Sequence, residues 1–166
     1  MEYPILKTGD IVLYRNKSVL AWLIRLFTGM RYNHAGIIVG TYLFESLDKG
    51  IVKSPLFDNL NGQEVLIKRF ELSSQFHPEH IESVALHSEG VVKYDFKNLL
   101  FNQLIYRLTG LWVGKASTNA MICTEFVARC YSPHYEFGPD LEKISPKEII
   151  LNPDFFTIFK GKYEIK

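Results

Sequence analysis

Short apolar runs separated by turn residues occupy the first part of the chain. Val and Ile are frequent in these runs, and Gly or Asp stands beside most of them, which is typical of β-strands and their turns. The run that follows His34 is bounded by glycines and predicts a buried strand. The connections are too short for crossovers, so antiparallel pairing is favoured. The predicted strands are residues 11–14, 35–40, 42–46, 51–53 and 64–70.

Helical spacing of apolar residues dominates the later part of the chain. Pro78 opens one such stretch, as proline often does in the first turn of a helix. Ser145, Pro146 and Glu148 supply the cap, the first-turn proline and the capping-box carboxylate of a short last helix. Because strands come first and helices mostly follow, the pattern predicts an α+β fold. The other predicted helices are residues 18–29, 78–89, 97–108 and 124–131, and closing strands are expected at residues 155–159 and 163–165.

Size and charge narrow the class of protein. A chain of 166 residues with 47% hydrophobic residues can build an ordinary core, so one domain over residues 1–166 is expected. The net charge of +1, from 19 basic and 18 acidic residues, gives no case for nucleic-acid binding. No apolar run reaches the roughly 18 residues of a spanning helix, so stable membrane insertion is not expected. No secretion signal is visible and a disulfide framework would need more than two cysteines, so a cytoplasmic protein is expected, with its oligomeric state left open.

Cys123 is the better placed of the two cysteines for nucleophilic chemistry. It stands at or near the first turn of a predicted helix, where unpaired N–H groups stabilise a thiolate and lower a free thiol pKa of about 8.5. The same N–H groups could hold a developing oxyanion. Cys130 lies about two turns further along the helix and lacks this advantage.

A histidine beside such a cysteine would take the thiol proton near neutral pH. Of the five histidines, His34 alone begins a predicted buried strand, which would hold its imidazole on a rigid element. Glu45 lies on the next predicted strand, within reach of a neighbouring ladder position, and could orient the imidazole. The remaining histidines flank or occupy a predicted helix or follow a proline: His77, His80, His87 and His134.

Simpler explanations exist for each of these residues. A cysteine in a helix is usually a small buried hydrophobe, and a histidine at a strand end is usually a hydrogen-bonded structural residue. Glu45 could be a solvated strand residue. Two cysteines and scattered histidines match no zinc pattern, so neither a metal nor another cofactor is expected. The residues alone therefore leave the function undecided.

In their order along the chain, these motifs resemble the circularly permuted branch of the NlpC-type, papain-like cysteine peptidase and amidase superfamily, most closely the YiiX-like proteins. Early blocks surround the Gly9-Asp10 turn and the His34 strand, and the last block contains Cys123. Permutation places the His strand before the Cys helix, the reverse of papain, and this order makes the resemblance specific. The matching blocks are residues 8–15, 23–29, 32–40, 43–46, 50–52, 93–96 and 122–127.

The resemblance implies a papain-like α+β fold in which a central antiparallel sheet packs against the Cys123 helix. It also implies a thiol hydrolase in which Cys123 attacks an amide carbonyl, His34 is the base and Glu45 orients the imidazole, with an acyl-enzyme intermediate. The expected partner is a small amide, peptide or acylated substrate. Two alternatives stay open: a lipid acyltransferase or esterase on the same fold, and a catalytically silent binding module.

Overall fold

The computed structural model describes residues 3–15, 31–70, 76–94, 104–111, 120–132 and 134–164. Most of its strands form one six-stranded sheet in which all neighbours run antiparallel, and two short strands form a separate parallel pair. The strands are β1 (Ile11–Tyr14), β2 (His34–Val39), β3 (Tyr42–Leu47), β4 (Gly50–Pro55), β5 (Glu64–Phe70), β6 (Lys93–Tyr94), β7 (Ala120–Met121) and β8 (Phe155–Lys162). The sheet order is β4-β3-β2-β1-β5-β8, and β6 pairs with β7.

Both faces of the sheet are buried along its inner strands, which explains why these strands are apolar runs. Side chains alternate between the two faces along a strand, so Ile11 and Leu13 of β1 join one apolar cluster while Val12 joins the other. The first cluster also contains helix residues such as Phe126, which is fully buried. Burial of such side chains is the main favourable contribution to folding.

Helices contribute to the covering of the first face. The helices are α1 (Leu56–Leu60), α2 (Pro78–Ser88), α3 (Leu104–Thr109), α4 (Cys123–Tyr131) and α5 (Pro146–Leu151), with a 3-10 turn at Leu141–Lys143. Helix α4 packs against β2 and β3 on one side and against α2 on another. In the part of the chain that the structure describes, no helix has the length and apolar character that a membrane crossing requires.

The turn before β1 is tied to distant parts of the chain. Gly9 has a φ of +96°, and a Cβ atom there would lie 2.7 Å from Cζ of Phe76. The buried Asp10 carboxylate accepts hydrogen bonds from Nε and Nη2 of Arg69, both at 2.7 Å. The hydroxyl of Tyr131, at the end of α4, donates to the carbonyl of Gly9. The sequence predicts a turn at Gly9 and Asp10. The structure shows in addition that this turn is hydrogen-bonded to β5 and α4.

The last helix, α5, begins as its sequence predicts. Ser145 and Glu148 form the expected capping box, with the Ser145 N–H donating to the Glu148 carboxylate at 2.8 Å. At the other end of the helix, the ammonium of the buried Lys68 donates to the carbonyls of Ile150 at 2.6 Å and Asn152 at 3.3 Å. Those carbonyls lack partners within the helix, so Lys68 fastens α5 to the sheet.

The observed elements confirm the expected combination of helices with an antiparallel sheet, and β5 has the predicted bounds. The helix expected at residues 18–29, and residues 97–103 of another, lie outside the described residues. The second closing strand expected at residues 163–165 is wrong at residues 163 and 164, which lie outside the strands because β8 itself ends at Lys162, and residue 165 lies outside the described residues. Helix α1, which follows Pro55, was not predicted.

Candidate active site

Cys123 is the first residue of α4, as its sequence position indicates. The N–H groups in the first turn of a helix have no partner inside the helix. They are therefore available to the sulfur of a cysteine that begins the helix. The residue is 7% exposed, so the thiol lies in a nearly closed site. Cys130 on the same helix is fully buried, and both thiols are free.

Two buried hydroxyls hold the helix start in place. Ser46 on β3 donates to the carbonyl of Met121 at 2.8 Å, two residues before Cys123. Thr124, the residue after the cysteine, donates through Oγ1 to the carbonyl of Ile144 at 2.6 Å. Both hydroxyls are shielded from competing water, which strengthens these hydrogen bonds. Hydrogen bonds at residues before and after Cys123 in the sequence therefore hold the thiol in place.

His34 and Glu45 project from the same face of the sheet. Gly36 lies opposite Glu45 in the ladder between β2 and β3, and His34 is two residues before Gly36, so the two side chains are diagonal neighbours. Nε2 of His34 is 3.1 Å from Oε2 of Glu45, and these side chains are 6% and 2% exposed. The predicted proximity of the two residues is confirmed, and the alternative of a solvated Glu45 is wrong.

Gly36 permits the close approach of β3 to β2 at this point. A Cβ atom on Gly36 would lie 2.9 Å from Cδ1 of Leu43 and 3.1 Å from the carbonyl oxygen of Phe44. Contacts that short require atoms of β3 to move, and one of them belongs to the backbone. The absence of a side chain at Gly36 therefore keeps Glu45 within reach of His34.

Cys123 and His34 perturb each other's ionisation. Burial raises the pKa of the Cys123 thiol, but the charge of His34, its hydrogen bond and the N–H groups of Ala35 and Thr124 lower it, and the net shift is downward. Burial lowers the pKa of the His34 imidazole, whereas the Cys123 thiolate and the Glu45 carboxylate raise it, and the net shift is upward. Together these shifts favour a thiolate–imidazolium pair.

We expect Cys123 to be alkylated selectively and at unusually low pH. The thiolate exists above the lowered pKa of Cys123, so reaction with iodoacetamide at about pH 6 to 7 should remain fast and fall only at lower pH. Cys130 should stay unmodified, because burial raises its pKa. Mass spectrometry of the labelled peptides measures both rates.

The matched control is the same chain in denaturant, where the two thiols should react at similar rates with ordinary pH dependence. Such a result assigns the native difference to the folded site rather than to the local sequence. Equal labelling of Cys123 and Cys130 in the native protein would contradict the thiolate–imidazolium pair.

Three of the other histidines gather beyond the opposite end of α4. The ring of His134 lies 5.1 Å from that of His77 and 4.9 Å from that of His80, between centroids. Nε2 of His80 also contacts the carbonyl of Ser132. Within the described ranges, no group of three or more His, Cys, Asp or Glu side chains could hold a metal ion. These histidines lie where the start of α2 meets the chain after α4.

Sequence reasoning missed Tyr14 as a neighbour of this site. Its hydroxyl donates to Oε2 of Glu45, and its ring packs edge-on against the His34 imidazole, with 5.0 Å between ring centroids and 65° between planes. Tyr14 lies directly opposite His34 in the ladder between β1 and β2. The only signal in the sequence was that a tyrosine ends the strand, and the register of that strand is set by contacts distant in the chain.

Comparison with known proteins gives a structural relationship. No protein-family model and no curated protein matches the chain. Among solved structures, the chain is similar to the metalloprotein YiiX from Escherichia coli O157:H7, with a TM-score of 0.70 and 20% sequence identity. The match covers 93% of this chain and 97% of that one. At this identity the likeness concerns the fold, and the chain therefore has a YiiX-like fold.

Proposed function

We propose that this protein is a thiol hydrolase of the permuted, NlpC-type papain-like class, which cleaves an amide bond. The observation that carries the proposal is the pairing of Cys123, at a helix start, with a His34 imidazole that also contacts Glu45. A buried cysteine that is merely structural has no need of a lowered pKa, whereas a nucleophile does. The YiiX-like fold is consistent with this class.

The imidazole of His34 bridges the other two residues. With Nε2 at Glu45, the nitrogen left for the Cys123 sulfur is Nδ1. Two charged neighbours on opposite sides of one ring stabilise the imidazolium and hold its plane, which is the role of the third residue in such triads. Glu45 is therefore an orienting group that takes no part in the proton transfers of the cycle.

Acylation begins when the Cys123 thiolate attacks the carbonyl carbon of the amide. A carbon–sulfur bond forms, the carbonyl electrons move to oxygen, and N–H groups at the start of α4 stabilise the resulting oxyanion. When the carbonyl reforms, the carbon–nitrogen bond breaks and the His34 imidazolium gives its proton to the departing amine. The product is a thioester on Cys123 and a neutral imidazole.

Deacylation reverses these roles. Neutral His34 accepts a proton from water, and the water oxygen attacks the thioester carbonyl. Collapse of this second oxyanion breaks the carbon–sulfur bond, which releases the carboxylic acid and restores the thiolate beside the imidazolium. One water is consumed for each amide cleaved, so the cycle needs no further co-reactant.

The nearly closed position of the thiol bears on the substrate. Because Cys123 is only 7% exposed, little of this residue is open to a bulky acyl group. A small amide, either a short peptide or an N-acylated amine, meets this condition better than intact cell wall does. A lipid acyltransferase or esterase remains the second candidate, since the same thioester could pass its acyl group to another acceptor.

YiiX is described as a metalloprotein. In the part of this chain that the structure describes, no cluster of three or more potential ligands could hold a metal ion. The proposed cycle uses only the side chains of Cys123, His34 and Glu45, and the test includes a chelator.

The test is a substrate panel of short γ-linked peptides, N-acyl amino acids, phospholipid esters and intact peptidoglycan. We expect the wild-type protein to release amine from the first two classes, with and without a chelator, because the reacting groups belong to the protein. Cys123→Ala should lose this turnover, and Cys130→Ala should keep it.

Other results of the substrate panel would favour a different function. Turnover of phospholipid esters alone would favour the acyltransferase or esterase, and turnover of intact peptidoglycan alone would overturn the preference for small amides. Activity that survives Cys123→Ala but is lost with chelator would assign the chemistry to a metal. Failure of every substrate, together with an ordinary thiol pH profile for Cys123, would favour the binding module.

A further inference from the structure

Tyr14, His34 and Glu45 form a row across three adjacent strands. Tyr14 lies opposite His34 in the ladder between β1 and β2. Glu45 lies opposite Gly36, two residues after His34, and therefore on the same face of the sheet. The imidazole therefore has the carboxylate on one side and the phenol ring on the other. On β4 the residue opposite Glu45 is Val52, which has no titratable group.

One oxygen of Glu45 serves both neighbours. Oε2 accepts a hydrogen bond from the Tyr14 hydroxyl and lies 3.1 Å from Nε2 of His34. Burial and the charge of Glu45 raise the pKa of Tyr14 well above its ordinary value, so the phenol remains a donor wherever the protein is folded. The glutamate is 2% exposed, so water cannot replace that donor.

We propose that Tyr14 is a positioning residue, which holds the Glu45 carboxylate aimed at His34; this inference rests on the proposed function. A buried carboxylate depends on the hydrogen bonds that it accepts, because each bond replaces hydration lost on folding. The titratable groups facing it are His34 from β2, Tyr14 from β1 and, across the imidazole, Cys123 from α4.

The effect should reach the thiol through the imidazole. If the phenol hydroxyl is removed, the Glu45 carboxylate loses one of the two hydrogen-bond partners that the described residues give it and is free to turn away from Nε2 of His34. A carboxylate that has turned away from the imidazole no longer supports the imidazolium, and without the imidazolium the Cys123 thiolate is lost. The acid limb of the alkylation profile should therefore move to higher pH.

The experiment compares Tyr14→Phe with wild type in the alkylation of Cys123 as a function of pH. The phenylalanine keeps the ring against His34 and removes only the hydroxyl, so the acid limb should rise by about one pH unit. Tyr32→Phe is the matched control. Tyr32 is 5% exposed and its hydroxyl has no hydrogen-bond partner in the described residues, so its profile should match wild type.

A double-mutant cycle separates positioning from a general loss of structure. Tyr14→Phe should shift the limb in the wild-type background and add almost nothing in the Glu45→Gln background, because both changes act through one carboxylate. Thermal unfolding of each variant shows whether it is folded, and Tyr14→Leu serves as a second hydroxyl-free variant if the phenylalanine variant unfolds.

The outcomes distinguish this inference from the proposed function. If alkylation of Cys123 persists to low pH in the wild-type protein and its pH profile is the same in Tyr14→Phe, the role of Tyr14 is overturned and the hydrolase proposal stands. The role of Tyr14 would also be overturned if Tyr14→Phe shifted the acid limb equally in the wild-type and Glu45→Gln backgrounds. An ordinary thiol profile in the wild-type protein would instead contradict the proposed function itself.

Discussion

Replacement of His34 by alanine is expected to raise the pKa of Cys123 above that of a free thiol and to remove nearly all turnover. Of the groups that lower this pKa, His34 contributes most, while burial raises it and would persist in the variant. The thiol would then be protonated at neutral pH and would lack a proton acceptor. Loss of such a base reduces turnover by about 100- to 10,000-fold. The pH profile of alkylation and the panel assay measure the two effects separately.

His87→Ala is the matched control for this variant. His87 lies on the exposed side of α2, where its Nδ1 contacts the carbonyl of Ser83 one turn earlier. Its removal changes the number of histidines without touching the Cys123 site, so both measurements should match wild type. If His34→Ala leaves the alkylation profile of Cys123 unchanged, the assigned pair does not exist.

Asp10→Ala is expected to cause the largest loss of stability, about 3–5 kcal/mol in the free energy of unfolding. The carboxylate is 1% exposed and accepts two hydrogen bonds from Arg69, whose side chain is 19% exposed. Removal of one partner leaves the other charge buried without its counterion, which costs more than the pair contributes. Chemical denaturation, followed by tryptophan fluorescence, measures the change in midpoint.

Asp140→Ala is the control for the loss of an acidic partner in a salt bridge. Asp140 pairs with Lys143, but these side chains are 45% and 28% exposed, so solvent screens the interaction. Its removal should cost no more than about 1 kcal/mol. Comparable losses in the two variants would show that burial of the Asp10 pair has little bearing on stability.

The strands and the position of Glu45 could be predicted because the relevant contacts are local. The β2 and β3 runs are joined by a connection so short that only an antiparallel hairpin fits, which brings a residue near the start of one strand close to one near the end of the next. The helix start at Cys123 could also be predicted from the sequence, because apolar residues at helical spacing follow it. Local pattern therefore located all three residues of the candidate site.

The interactions around the site could not be predicted in the same way. Ser46 and Met121 are hydrogen-bonded across 75 positions, and nothing in either segment marks the other. Likewise, β6 and β7 pair in parallel over only two residues each, which is too short for a periodic signal. Tyr14 belongs to this group, since its contact with Glu45 requires two strand registers at once.

The separation of the site along the chain has a consequence for biosynthesis. The proposed base, His34, and its carboxylate, Glu45, belong to one hairpin, which closes through local contacts. The proposed nucleophile, Cys123, arrives on α4 through contacts between distant segments. Local contacts form quickly and distant ones slowly, so the hairpin precedes the docking of α4. Until that docking, Cys123 behaves as an ordinary thiol of pKa about 8.5, mostly protonated in the cell. On the proposed function, a nascent or misfolded chain therefore has only ordinary thiol reactivity, and the enhanced reactivity of Cys123 at low pH is confined to molecules that have completed folding.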